Sequence, residues 1–368
     1  GYGVIVDAMR HHPNNHEVQE HACRALANIS SVASTHISQA LEQIVAAMRR
    51  HERVAEVQEE ACRAIVTLSL VSPANKDRLF ELGSAERVTT AMRNFPKLHL
   101  VQQEACNALA HLAYEHAQLN REVTDLSGVA LLLAAMKNHP QSTKVQLNAC
   151  GGLSALAFDN TVAQRQIYDQ GGVEHVIRAM RTFERLRMLE LGCSVLGTLA
   201  WNAEIKEKVA VLAVPEILRS MKVYEDNALL QKSTCRAVSQ FAFNSETNRK
   251  LLTESGAIPL IVKAMRNHAD SDKLVVHALK ALTYLCWENV VVAQSILDEK
   301  VEDVLVTIQR LYQNDERIFS EATHLSKILS RKTLSPSTTR SPMIGGSGRV
   351  PPSPGIASNI SPPVASPL

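Results

Sequence analysis

The sequence predicts an all-α solenoid of about seven to eight stacked units, and three observations carry that reading. A Met followed by Arg or Lys recurs at Met9, Met48, Met92, Met136, Met180, Met221 and Met265, at spacings of 39, 44, 44, 44, 41 and 44 residues. Six of the seven cysteines, Cys23, Cys62, Cys106, Cys150, Cys193 and Cys235, follow those landmarks by 13 or 14 residues. Apolar residues around them run at i, i+4, i+7, i+8 and i+11, the stripe of an amphipathic helix. A period of some forty residues is the mark of one supersecondary unit stacked on itself.

Each unit reads as up to three helices. Residues 84–115 show the pattern: a short helix ends in Ala91-Met92-Arg93-Asn94, stopped by the extended preference of the residue before Pro96. A longer helix follows with the stripe Val101, Ala105, Ala108, Leu109 and Leu112. The same stripe recurs from Val18, Val57 and Leu274. Small Ala and Cys in mid-helix let neighbouring helices approach closely. Before the Met helix lies a third, shorter one, such as 75–83 or 246–256. Gly83, Gly171 and Gly256 close these helices at the left-handed position that glycine tolerates best. No useful period-2 alternation is present.

Short helix, glycine turn, medium helix and long helix in each unit resemble the armadillo repeat. Gly256–Met265 (GAIPLIVKAM) and Val18–Ser30 (VQEHACRALANIS) carry the likeness, which covers about residues 1–330. The resemblance implies a right-handed superhelical solenoid whose long helices line a concave groove. Departures from the pattern are expected in three places. The first unit lacks its first helix, the stretch around Ser31–Gln43 is short and has no glycine turn, and Ala213-Val214 replaces the glycine before Pro215. Residues 301–330 read as a degenerate, more charged capping unit. The chain opens at Gly1 directly in helical pattern and reads as a fragment or processed piece.

Partner contacts implied by the resemblance fall on positions −3, +1, +5 and +8 from the Cys landmark, which share one helix face. The ladder residues of interest are Arg24, Asn28, Arg63, Asn107, His111, Tyr114, Phe158, Trp201, Lys232, Arg236, Gln240, Phe243, Lys280, Tyr284 and Trp287. Arg24 and Arg63 follow Glu20 and Glu59 at i, i+4, so these pairs can neutralise each other. Lys232, Arg236 and Lys280 have no ladder acid beside them and suit an acidic protein segment. Position +8 is aromatic in five consecutive units and holds five of the chain's fifteen aromatics. Rings at helical spacing favour a core role at the junction with the next unit; a ligand-stacking column is the alternative. Nuclear-import adaptors of this family use Trp at +1 and Asn at +5. Here +1 is Arg, Arg, Asn, Gly, Ser, Arg and Lys, and +5 is Asn only at Asn28, which argues against a receptor for basic signals.

Residues 331–368 hold eight of the fourteen prolines, eight serines, four basic residues and no acid. This composition cannot bury a core, so a disordered Ser/Pro-rich tail is expected. Ser335, Ser341, Ser353, Ser361 and Ser366 each precede a proline, the sequence type of proline-directed kinases, and phosphorylation would reverse the tail's sign. An inert linker is the other reading.

Composition narrows the function classes. A net charge of +2 gives no general pull toward nucleic acid or anionic membrane. No apolar run approaches the ~20 residues of a membrane span, so no membrane insertion is expected. Stacked helices sit about 8–10 Å apart, beyond the reach of a disulfide between column cysteines, and repeated thiols suit a reducing compartment. A cytoplasmic location is expected, with the nucleus also open. His11, His12, His16, His21 and Cys23 cluster, but Cys23 is a repeat core position. His11, His51, His139 and His268 recur just past the Met helix, where they suit its negative end. No metal or other cofactor is expected, and no nucleophile, phosphate-loop or kinase motif points to an enzyme. The residues therefore read as a non-catalytic protein-interaction scaffold that holds an extended or helical segment. The alternative is a regulatory or substrate-recognition region of a larger enzyme, such as a repeat-bearing kinase or ubiquitin ligase.

Overall fold

The computed structural model describes residues 1–29 and 36–333. The five Ser-Pro serines and Ser31 lie outside the described residues. Every element among the described residues is a helix. The first repeat has α1 (Tyr2–His11) and α2 (His16–Asn28), the second α3 (Ile37–Arg50) and α4 (Ala55–Ser69). The third has α5 (Pro73–Glu81), α6 (Ser84–Asn94) and α7 (His99–Ala113), and the fourth α8 (Ala117–Asp125), α9 (Gly128–Asn138) and α10 (Thr143–Ala157). The fifth has α11 (Thr161–Asp169), α12 (Gly172–Thr182) and α13 (Leu186–Leu199), and the sixth α14 (Lys206–Val223) and α15 (Ala228–Ala242). The seventh has α16 (Glu246–Glu254), α17 (Ala257–Asn267) and α18 (Asp272–Leu285), and the eighth α19 (Val290–Asp298), α20 (Val301–Leu311) and α21 (Glu316–Thr333).

Two compact units divide the chain, Gly1–Val195 and Leu196 onward. In the first unit the long helices α2, α4, α7 and α10 pack one on the next; in the second, α15, α18 and α21 do so. All seven cysteines are buried free thiols. Burial pushes the thiol pKa of Cys23, Cys150 and Cys235 up to about 12, with Glu60 adding to the effect at Cys23. They behave as small apolar side chains between helices. Cys286, off the ladder, sits at the C-cap of α18 with its Sγ 3.6 Å from the Thr283 carbonyl oxygen.

Left-handed backbone separates the first and second helices of most repeats. Gly83, Gly171 and Gly256 have φ of 68°, 72° and 81° there. A Cβ added at Gly83 or Gly256 would meet nothing within 4 Å, so the positive φ alone favours glycine there. Ser127 (φ 66°) and Lys300 (φ 54°) hold the same conformation without glycine. In the sixth repeat, Ala213 and Val214 supply no such break. The first and second helices merge into α14, an 18-residue helix that runs through Pro215. The eighth repeat, expected as a degenerate cap over 301–330, has all three helices, and α21 continues to Thr333.

A buried glutamine, four residues before the cysteine, fixes the corner between the Met helix and the long helix. Gln19, Gln58, Gln102, Gln146 and Gln231 are at most 4% exposed. Each Nε2 donates to two carbonyls that helix geometry leaves unpaired, those of the Met and of the C-cap residue. Gln102 reaches Met92 O at 2.9 Å and Phe95 O at 3.0 Å, and Gln231 reaches Met221 O at 2.8 Å and Tyr224 O at 2.9 Å. Neighbouring repeats are tied by histidines at the same corner. The Nε2 of His51, His139 and His268 lies 2.9–3.0 Å from the carbonyls of Pro13, Pro96 and Glu225. A carbonyl only accepts, so each Nε2 carries the proton.

Gln102→Leu would strand two buried carbonyls and should lower stability by about 2–3 kcal/mol in urea unfolding followed by circular dichroism. Ser127→Gly should raise it by about 0.5–1 kcal/mol, because glycine takes positive φ without strain.

Candidate partner-binding surfaces

Positions −3, +1, +5 and +8 recur along the long helices, and their surroundings differ between the two units. In the first unit the charged ladder is self-paired. Arg24 holds Glu20 at 2.6 Å and, from the next repeat, Glu60 at 2.8 Å. Arg63 lies 3.2 Å from both Glu59 and Glu60. Glu60, two residues before Cys62, has a side chain only 5% exposed and serves both arginines. The equivalent residue of the next repeat, Glu104, is also buried. Asn28 is exposed and Asn107 half-buried. His111 is buried, and burial, with Lys76 adding, brings its pKa down to about 4. It is therefore an uncharged interior group at neutral pH.

The second unit changes the residue two before the landmark position. In α18, His277 stands where the first unit has Glu60 and Glu104. Burial brings its pKa down to about 3, and the charges of Arg236, Lys280 and Lys232 press in the same direction. The histidine therefore stays neutral at physiological pH. Glu321 on α21 is the acid that acts on this region, raising the pKa of Tyr284 together with burial. Gln240 is buried and lies over Gly197, where its Oε1 would be 2.4 Å from an added Cβ. It packs inside the unit.

The aromatic residues at +8 range from half-buried to exposed. Phe158 is 39% and Trp201 48% exposed; Tyr114, Phe243 and Trp287 are half-buried. Tyr114, Phe158 and Phe243 sit at the C-cap of their long helices, where the chain turns away. Tyr114, Phe158 and Phe243 have extended backbone, and the next residues, Glu115, Asp159 and Asn244, take positive φ. In the second unit the Phe243 ring lies 5.2 Å from Tyr284 and 6.5 Å from Trp201, tilted in both pairs. Lys206 lies over the Phe243 ring at 5.7 Å and donates to the Phe243 carbonyl, and burial lowers its pKa to about 8. In the first unit Lys76 lies 5.5 Å from the Tyr114 ring centroid and donates to the Tyr114 carbonyl at 2.5 Å, and burial lowers its pKa.

The corner glutamines, the His277 substitution and the two lysine contacts were absent from the sequence reading. The recurring Val-Gln dipeptide at 18–19, 57–58, 101–102 and 145–146 was the available signal for the first of them. No group of three or more His, Cys, Asp or Glu side chains among the described residues is placed to hold a metal. No described helix is long and apolar enough to cross a membrane.

The two depressed histidines give the molecule an acid-sensitive stability. Each has a folded-state pKa below its unfolded value of ~6.5. Their contribution is complete above that value and is lost as pH falls toward about 4 for His111 and about 3 for His277. Lowering pH from about 7 to about 5 should cost roughly 2 kcal/mol per histidine. His111→Gln and His277→Gln should each flatten that acid limb in melts recorded across this range.

Comparison with known proteins agrees with the geometry. The family model described as LRRK2 ARM repeat matches residues 2–87, 81–252 and 116–325. No curated protein matches the chain. Among solved structures, an engineered protein of the Northeast Structural Genomics Consortium superposes with a TM-score of 0.66 at 20% identity, covering 89% of this chain and 88% of that one. A structure reported for a phosphorylation switch in the interaction between cadherin and beta-catenin gives 0.68 at 14% identity, covering 90% and 65%. A designed armadillo repeat protein in complex with the peptide (KR)4 gives 0.57 at 17% identity, covering 67% and 99%. With eight helical repeats and a family match over most of its length, this chain belongs to the ARM (armadillo) repeat family.

Proposed function

We propose that the protein is a non-catalytic interaction scaffold that holds an acidic, extended segment of a protein partner on the long-helix surface of its second unit. The observation that carries this reading is the cluster of Lys232, Arg236 and Lys280 around a neutral His277, bordered by Phe243, Tyr284 and Trp287. Cations fix acidic side chains, while partly exposed rings stack on the backbone and apolar groups between them. The first unit's ladder, already paired internally, contributes little charge to recognition. The armadillo fold is typical of protein-binding scaffolds, and two similar structures concern a peptide or protein partner. The reading places the scaffold in the cytoplasm or nucleus.

A second reading is favoured by the family match itself. The LRRK2 ARM repeat is part of an enzyme, so this array can serve as the recognition region of a larger enzyme without carrying chemistry of its own. The same surface would then recruit a substrate or regulator.

A fluorescent Glu-rich peptide titrated into the full chain tests the site. Binding should weaken at least about tenfold in Arg236→Glu and in Lys280→Glu, and should fall as salt rises past about 0.15 M. Arg63→Glu should leave it unchanged. A Lys/Arg-rich peptide that bound instead, with affinity surviving Arg63→Glu and Arg236→Glu, would move the protein to the import-adaptor class. Trp287→Ala should weaken the Glu-rich peptide while moving the melting temperature little. A large fall in melting temperature with unchanged binding would return the rings to a core role.

A further inference from the structure

We infer that a pocket between α9 and α12, in the first unit, is a binding site for a phosphorylated serine or threonine side chain of a protein partner. The pocket measures about 120 Å³, and its lining includes Lys137, Pro140, Gln141, His175, Arg178 and Thr182. A water needs roughly 10–15 Å³ of such space, so a phosphate group fits. Its cations stand on the second helices of their repeats, not on the long helices, and the site does not depend on the acidic-partner reading above.

The pocket is open because this junction lacks the ties that close equivalent ones. The fourth residue past the Met landmark offers its carbonyl to the next repeat. Pro13 O and Glu225 O meet His51 and His268, and Pro96 O meets both Asn138 and His139. Pro140 is the equivalent residue here, and the next repeat has Thr182 and Phe183 in place of Asn and His. Lys137 departs in the same way. Arg93 and Arg266, one residue past their Met, donate to the carbonyls of Leu126 and of Glu299 and Lys300, where the next repeat's first helix ends. Lys137 holds that position yet makes no hydrogen bond or ion pair with any described residue, and neither does Arg178.

The second unit shows what such a position takes. Arg178 stands two residues before Met180, and the same position before Met265 holds Lys263, which pairs with Glu225. Glu225 is four residues past Met221, as Pro140 is past Met136. A carboxylate of the chain itself thus answers the cation in the second unit, where the first unit has a neutral proline. Glu174, next to His175 in sequence, turns back to the start of its own helix. Its Oε2 would lie 3.7 Å from a Cβ added at Gly171, at the positive end of α12. Burial lowers the pKa of His175, and Arg178 and Lys137 act in the same direction against Glu174, so both cations lie within electrostatic reach of the ring.

Charge and donor count select the ligand. A carboxylate balances only one of the two cations, whereas a phosphate monoester carries about −1.5 to −2 and offers three strong acceptor oxygens. Lys137, Arg178, the Gln141 amide and the Thr182 hydroxyl all donate, which suits those oxygens. Lys137, Gln141 and Arg178 are exposed, so the phosphate can arrive on a chain. The Pro140 carbonyl, without the histidine of other junctions, is an acceptor for a backbone N–H. A peptide supplies that group and a free phosphate does not.

The test titrates a fluorescent Gly/Ala peptide carrying one phosphoserine into the full chain, beside its unphosphorylated form and inorganic phosphate. The phosphopeptide should bind at least about tenfold more tightly than either control. Lys137→Glu and Arg178→Glu should each weaken it at least about tenfold, whereas Lys280→Glu should leave it within about twofold. Pro140→Glu, which supplies the carboxylate found at Glu225, should abolish binding with the circular dichroism spectrum and melting temperature maintained. A phosphopeptide that fails to bind, or whose affinity survives Arg178→Glu and Pro140→Glu, overturns the inference. Inorganic phosphate that binds as tightly as the peptide overturns the assignment to a partner's side chain and leaves a site for free phosphate. Affinity lost in Lys280→Glu but kept in Arg178→Glu moves the peptide to the second unit and overturns the inference as well.

Discussion

The buried glutamine at the corner between the second and third helices is the interaction on which the rest of the molecule depends. A helix ends with carbonyls that have no partner within it, and at this corner they face the interior, away from water. Gln58, for example, answers both Met48 O and His51 O with one amide group. Because the glutamine is part of the next helix, satisfying those carbonyls also sets that helix's rotation. The cysteine four residues on then faces its neighbours. In the fifth and seventh repeats, Leu189 and Val275 occupy the glutamine's place and are fully buried, so packing alone sets the rotation there.

With the rotation fixed, surface chemistry can change without disturbing the frame. The residue two before the landmark position lies against position +1 of the preceding repeat. Glu60 there turns Arg24 into a member of a closed charge network. In the second unit a histidine, His277, takes that place, and burial together with the charge of Arg236 holds its pKa down.

Much of the fold was legible because burial repeats with the same period as the sequence. The Met and Cys landmarks are interior, Gly83, Gly171 and Gly256 take positive φ, and the degenerate units fall where the spacing is short. The merger of two helices in α14 was visible only as a missing glycine. Its outcome depended on whether a helix could continue through Pro215, which a local pattern does not state. The candidate surface was harder to read. Its position followed from helix periodicity, but Gln240 and His111 share that periodicity and are nevertheless interior. Their burial comes from neighbouring repeats, which a single-helix register does not contain. The pairing of Arg24 with Glu60 is of the same kind: i, i+4 spacing shows Glu20, whereas the cross-repeat partner is 36 residues away.

The partly exposed rings at +8 are held by the same economy. An exposed aromatic normally loses rotational freedom on binding, which reduces what it contributes. Here the backbone under Tyr114 and Phe243 is extended and followed by a left-handed residue, and a lysine from the repeat's own first helix fastens the carbonyl and covers one face. Each lysine carries its methylene stem into the interior, consistent with the lowered pKa of Lys76 and Lys206. Phe243 also touches Tyr284 and Trp201, so the three rings restrain one another. Rings restrained in this way have less rotational freedom to lose on contact than free ones, which is what preorganisation contributes at a surface.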